Sequence, residues 1–205
     1  QPRLREMKIP TAPFLLPALC LCLLLTACES PLQEVKYPEL RFNHLPVIEL
    51  NVARIDIVEQ YRSPLRPPNV EHELPLAPAK AMRNWANDRL RAVGSSGRAT
   101  FIIADASVKA QPLQKKKGLK AMFTLDQAAR YDARLEARLE VETAAGLGKG
   151  FAAAAATRQR TMPEAVSMND RDDALYRFVE EATKDFDRVM VANIDRHLAP
   201  FKASR

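Results

Sequence analysis

The sequence predicts an α+β fold, a two-layer sandwich of about four mostly antiparallel strands with two helices on one face. Three observations lead there. From Tyr131 to Glu142, twelve residues alternate apolar and charged side chains without an error, which is the period of a strand with one buried face. Residues 151–161 then alternate small and polar residues after the turn-forming run Ala144 to Gly150, completing a hairpin. Finally, Leu175, Phe178, Val179, Ala182, Phe186, Val189, Met190, Ile194, His197 and Leu198 trace one stripe at helical spacing. With 205 residues, 47% of them hydrophobic, the chain can bury one core of ordinary size, so a single domain is expected.

In chain order, residues 1–27 read as a cleaved signal peptide. Lys8, following Met7 as the expected start, supplies a positive n-region, and Phe14 to Leu25 is an unbroken apolar run. Twelve residues fit a signal-peptide core and fall short of the roughly 20 that a helix needs to cross a bilayer. The run ends in Leu25-Thr26-Ala27-Cys28, which resembles the bacterial lipobox: an aliphatic residue, two small residues that pass the peptidase, and a cysteine that takes a diacylglyceryl group. Cys28 is therefore the expected lipidation site. Cys20 and Cys22 lie in the segment to be removed, so the processed domain would hold no free thiol or disulfide and would depend on its core. Residues 28–46, polar and rich in proline, read as the lipidated cysteine and a tether.

The domain is expected over residues 47–201. In the run from Val47 to Val58 the apolar parity changes near Val52 to Arg54, which predicts one strand bent by a bulge. A proline-rich loop follows from Ser63 to Pro78. Met82, Trp85, Ala86, Leu90 and Val93 at helical spacing, ahead of Gly94, predict a helix over 78–93 with Trp85 in the core. Residues 99–109 are β-rich and predict the next strand, with a loop from Gln111 to Gly118. Asn169 or Asp170 is expected to cap the long final helix, whose acidic start and basic end suit the helix dipole.

The residues that could begin a catalytic motif do not complete one. His72-Glu73 begins like a zincin motif, but Leu76 stands where the second histidine belongs. Gly146, Gly148 and Gly150 do not carry the lysine-and-hydroxyl pattern of a phosphate loop and are expected to link strand to strand. Asn169, Asp170, Asp172 and Asp173 lack the glycine and distal glutamate of an EF-hand and read as helix capping. No catalytic residue, metal site or cofactor is expected apart from acyl chains on Cys28.

The formal charge is +6; Arg3, Arg5, Lys8 and Glu6 contribute +2, leaving +4 on residues 28–205. Between Lys109 and Leu125 stand Lys109, Lys115, Lys116, Lys117 and Lys120, with no acid before Asp126. That segment is the candidate contact for acidic lipid or an acidic partner, each lysine near an anionic surface contributing about 1 kcal/mol. Nucleic acid is not expected, because the lysines have no interleaved aromatics.

The lipobox, the order of elements, Trp85 in the first helix and the terminal helix together resemble a group of small envelope lipoproteins. These are the lipopolysaccharide-assembly lipoprotein of the outer-membrane translocon and the auxiliary lipoproteins of ABC-type transport systems. The resemblance implies a non-enzymatic accessory of envelope transport or assembly, anchored by lipid, facing the periplasm and working through a protein partner. Glu29 in place of an aspartate after the cysteine favours the outer membrane over the inner. The alternative is a lipid or polysaccharide carrier, with a hydrolase less favoured.

Overall fold

The computed structural model describes residues 37–113, 127–144, 148–163 and 166–203. The elements run β1 (Ile48–Leu50), β2 (Arg54–Glu59), α1 (Pro78–Arg89), β3 (Leu90–Ala92), β4 (Arg98–Pro112), β5 (Gln127–Glu142), β6 (Lys149–Pro163) and α2 (Met168–His197), closed by a 3-10 turn at Ala199–Phe201. The class is α+β. A four-stranded sheet in the order β2-β4-β5-β6 is antiparallel except for the parallel β2–β4 pair. Both helices pack on one face of it.

Alternation builds that buried face. Tyr131, Ala133, Leu135, Ala137, Leu139 and Val141 of β5 are all buried, as are Ala152, Ala154 and Ala156 of β6. On β4, Phe101 and Ile103 point inward, and then Ala106 and Val108 do so on the opposite parity. The register shifts between Ile103 and Asp105, so Ala104 is the extra residue of a β-bulge. At the centre, Trp85 of α1 lies 5.4 Å from both Phe101 and Phe186, centroid to centroid. Its Nε1 donates to Asp187 Oδ1 at 2.7 Å, and Arg89 Nε donates to the same oxygen at 3.0 Å. Arg89 is buried, and it also donates to the Pro46 carbonyl. A buried tryptophan N–H and a buried guanidinium are thus satisfied by one carboxylate, which locks α1 to α2.

The expected single bent strand from Val47 is two strands in two sheets. β1 pairs in parallel with β3 in a separate two-stranded sheet, while β2 joins β4. The parity change near Val52 is the crossing from one sheet to the other, and the bulge lies in β4 instead. The first helix ends at Arg89, short of the expected residue 93, because Leu90 to Ala92 form β3. Gly94 is no helix terminator: a Cβ there would sit 2.7 Å from the backbone nitrogen of Val52. Its hydrogen allows the close approach in which Gly94 N donates to Val52 O at 3.0 Å.

Residues 37–46, expected within the tether, lie on the domain. Leu40 and Phe42 are buried. Arg41 grips Asp88 of α1 with Nε at 2.9 Å and Nη2 at 2.5 Å, and Phe42 N donates to the same carboxylate at 2.8 Å. Tyr37 stacks on Tyr176 of α2 at 5.2 Å, and the Tyr176 hydroxyl donates to Pro38 O. The Arg41 hydrogen bonds, helped by the Phe42 N–H against the opposing effect of burial, hold the Asp88 carboxyl below the usual aspartate range. Two isolated apolar residues between prolines carry no period, so this docking leaves no repeating signal in the sequence.

β2 covers only the first half of β4. Beyond Glu59 the chain runs on past β4, turns near Arg66 and comes back, with Ala110 N donating to Pro68 O and Val70 N to Val108 O, each at 2.8 Å. The buried Glu71 completes the edge. Its Oε2 accepts from Val108 N at 3.2 Å, and its Oε1 accepts from the Tyr61 hydroxyl at 2.5 Å. Burial alone would raise this carboxyl; hydrogen bonds from Ser63, Tyr61 and the backbone outweigh it and lower it below the ordinary range. Burial and the Glu71 contact together push the Tyr61 phenol upward.

Candidate functional site

The sheet face opposite the helices is a ladder of charges that cancel locally. Along β5, Arg130 pairs with Asp132 at 3.1 Å, Arg134 with Glu136 at 2.5 Å and Arg138 with Glu140 at 2.9 Å. Glu142 takes Lys149 at 2.9 Å, whose hydrogen bond and charge lower its carboxyl, as Arg98 does in smaller measure. Exposed pairs of this kind contribute little to stability and leave no net field.

The two edges of the sheet differ. β2 is six residues long and carries Arg54, Asp56 and Glu59, a short charged edge of the sort that resists pairing. β6 runs for fifteen residues, and from Gly150 to Thr157 it holds no charge and no proline. Asn193 Nδ2 of α2 donates to Ala153 O at 2.7 Å, so the Ala153 carbonyl points away from β5. In an antiparallel ladder alternate residues direct both polar groups to the same side, so Phe151, Ala153, Ala155, Thr157, Gln159 and Thr161 present theirs to the open edge. These odd-numbered residues are exposed except for the partly occupied Ala153 carbonyl, while Ala152, Ala154 and Ala156 let α2 pack closely. The small residues therefore serve the helix on one side and leave a low rim on the other.

At the hairpin end of this edge lies a groove of about 450 Å³ lined by Lys149, Gly150, Phe151, Ala153, Asn193 and His197. Phe151 is 53% exposed, and the Arg138 guanidinium lies 4.0 Å from its ring centroid. Gly150 forms the floor: a Cβ there would meet Phe201 Cε2 at 2.6 Å and Leu198 Cδ2 at 2.9 Å. Its lack of a side chain lets the closing 3-10 turn seat against the hairpin. The chain then continues along β1, with Asn51 N donating to Phe201 O and Ala203 N to Glu49 O.

The residues singled out from sequence divide as follows. Cys28, Lys115, Lys116, Lys117 and Lys120 lie outside the described residues. Lys109 is exposed on β4, opposite Asp132 of β5. His197 and Val189 were expected on the apolar stripe of α2 and are exposed. Along its last turns α2 buries only the row Phe186, Met190, Ile194 and Leu198; positions three residues along from that row rotate away from the sheet. The N-cap of α2 is Ser167, not Asn169 or Asp170: its side chain accepts from Asp170 N at 3.2 Å. His72 lies 3.6 Å from Glu73. Among the described residues no cluster of three or more His, Cys, Asp or Glu is placed to hold a metal ion, and no helix is long and apolar enough to cross a membrane. The open edge of β6 carries no sequence motif; only the run of five alanines after Phe151 marks it. No protein-family model matches this chain, and no curated protein matches it.

Proposed function

We propose that this chain is a lipoprotein anchored at Cys28, facing the periplasm, that works without catalysis as an accessory of an envelope transport or assembly machine. In this reading the partner docks by adding an extended segment to the open edge of β6. The observation that carries it is that edge: fifteen residues long, uncharged from Gly150 to Thr157, with outward backbone groups and a groove at one end. Strand addition draws affinity from main-chain hydrogen bonds and specificity from side-chain pockets, and the low rim beside Phe151 suits both. The Leu25-Thr26-Ala27-Cys28 run supports the anchor, and several acyl chains on one cysteine hold a protein to a bilayer where one would not.

The test is a crosslinked pull-down from membranes combined with the intact mass of the peptide bearing Cys28. Recovery of an envelope transport or outer-membrane protein, lost on Ala155→Pro, together with acyl mass on the cysteine, is the expected result. Co-purifying lipid with no protein partner would favour a carrier. An unmodified Cys28 would remove the anchor from the account.

A further inference from the structure

One end of the domain collects features that the docking edge does not use. β4 ends there at Pro112, β6 ends there at Pro163, and α2 begins there, with Arg171 of α2 donating to the Tyr131 hydroxyl at 3.2 Å. The excursion after β2 has its tip at the same end, since Pro68 and Val70 pair back onto Ala110 and Val108. The two most exposed large apolar side chains among the described residues stand at this end: Leu65, 65% exposed at the tip, and Met168, 72% exposed at the first turn of α2. Leu65 is also held at φ 53°, a left-handed conformation unusual for a branched residue, and it projects outward. Arg62 and Arg66 flank Leu65 along the chain at the β4 edge, Lys109 and Arg160 lie in the last residues of β4 and β6 at this end, and none of the four makes an ion pair among the described residues. The acids nearby are largely committed. Asp132 pairs with Arg130 and Asp173 with Arg177, Asp170 bonds Ser167, the buried Glu71 accepts from Tyr61 and Val108 N, and Glu73 lies against His72; Asp172 is the remaining acid of the first turns of α2.

The chain also leaves the domain at this end. Tyr37 stacks on Tyr176, in the third turn of α2. Cys28 stands nine residues earlier, a separation of at most about 30 Å even if fully extended. β4 spans fifteen residues, about 50 Å. Tyr176 stands in the third turn of α2, whereas Asn193 beside Ala153 lies seventeen residues further on, about 25 Å along the helix, so an anchor at Cys28 joins the domain nearer to this end than to the end where Val93 and Phe151 lie.

From this juxtaposition we infer that the end bearing Leu65 and Met168 rests on the anionic bilayer surface. The two apolar side chains enter the headgroup boundary, and Arg62, Arg66 and Arg160 meet lipid phosphates. Guanidinium groups match phosphate oxygens in paired hydrogen bonds, and cations beside exposed apolar residues are the composition of an interfacial contact. The inference rests on the anchored reading for its orientation and on the charges and exposed side chains for its chemistry. The domain then stands on the membrane with the Phe151 groove directed away from it.

The test uses the full chain purified from membranes and reconstituted into vesicles of equal parts phosphatidylcholine and diazirine-bearing phosphatidylglycerol. After irradiation, mass spectrometry maps the lipid adducts. Adducts are expected in the segments 62–66 and 160–168 and absent at Val93 and Phe151. The triple variant Arg62→Gln, Arg66→Gln, Arg160→Gln should lower their yield roughly fivefold or more. Adducts distributed evenly over both ends, or concentrated at Val93 and Phe151, overturn the inference, as does an unchanged yield in the triple variant. The mass of the peptide bearing Cys28, read from the same digest, reports separately on the anchor. If that peptide is unmodified, the anchored reading falls and the unanchored chain mixed with the same vesicles at low salt decides: adducts at 62–66 and 160–168 sustain the contact, and none overturns it.

Discussion

Replacing Phe42 with alanine tests whether the segment before β1 belongs to the folded domain. Phe42 is 2% exposed, and its backbone N–H is tied to Asp88 at 2.8 Å, so the surroundings cannot easily close over a deleted ring. Truncating a buried phenylalanine costs about 3–5 kcal/mol, the transfer of the ring plus the cavity it leaves. For a domain of this length each kcal/mol lowers the melting temperature by about 2–4 °C, so the expected loss lies between about 6 and 20 °C. In a free tether the same change would stay within about 0.5 kcal/mol. The measurement is urea and thermal unfolding of the full chain, with Val93→Ala as control, since Val93 is 47% exposed. A loss under about 1 kcal/mol would refute the claim that Phe42 is part of the core.

The same segment should respond to acid. The Asp88 carboxyl is lowered from its ordinary 3.8, so its contribution is fully present above that value and is lost as pH falls through the lower folded value. The hydrogen-exchange protection of residues 37–42, relative to the intrinsic rate at each pH, should therefore fall below about pH 4 before that of β5 does; simultaneous loss would contradict it. Glu71→Gln removes the charge that accepts from Val108 N and Tyr61, and it should cost about 1.5–3 kcal/mol by denaturant unfolding, whereas a neutral result would show that the loop does not depend on the ionised form. Gly150→Ala should cost about 1–3 kcal/mol through overpacking against Phe201, and Phe201→Ala in the same chain should restore part of it. Failure of that rescue would place the clash elsewhere.

Legibility in the sequence followed how periodic each element is. β5 was readable from its alternation because every odd residue from Tyr131 to Val141 enters one core face, and α2 was readable because Leu175 to Leu198 follow one helical row. Trp85 was placed correctly for the same reason. The bulge lies in β4 and not in the 47–58 run: both change parity, and parity alone does not distinguish a bulge from a crossing between sheets. Leu90 fits helix and strand spacing equally, and only pairing of β3 with β1 decides it. The docking of Leu40 and Phe42 depends on one carboxylate, Asp88, some 46 residues along the chain, a contact that no local pattern encodes. The edge of β6 was visible as a run of small residues, but that the odd positions face outward follows from the Asn193–Ala153 hydrogen bond, which spacing does not reveal.

Site-specific photocrosslinking along the sheet edges tests the account most directly. A photoreactive residue at Ala155, Thr157 or Gln159 of the full chain in intact envelopes should give an adduct with one envelope protein, and the same residue at Val58 on β2 should give none. Ala153→Pro, introduced beside a probe at Thr157, should abolish the adduct while unfolding stays cooperative, because it alters an outward-facing position of the edge. Equal adducts from β2 and β6, or none from β6 in a chain that carries acyl mass on Cys28, would contradict the docking edge.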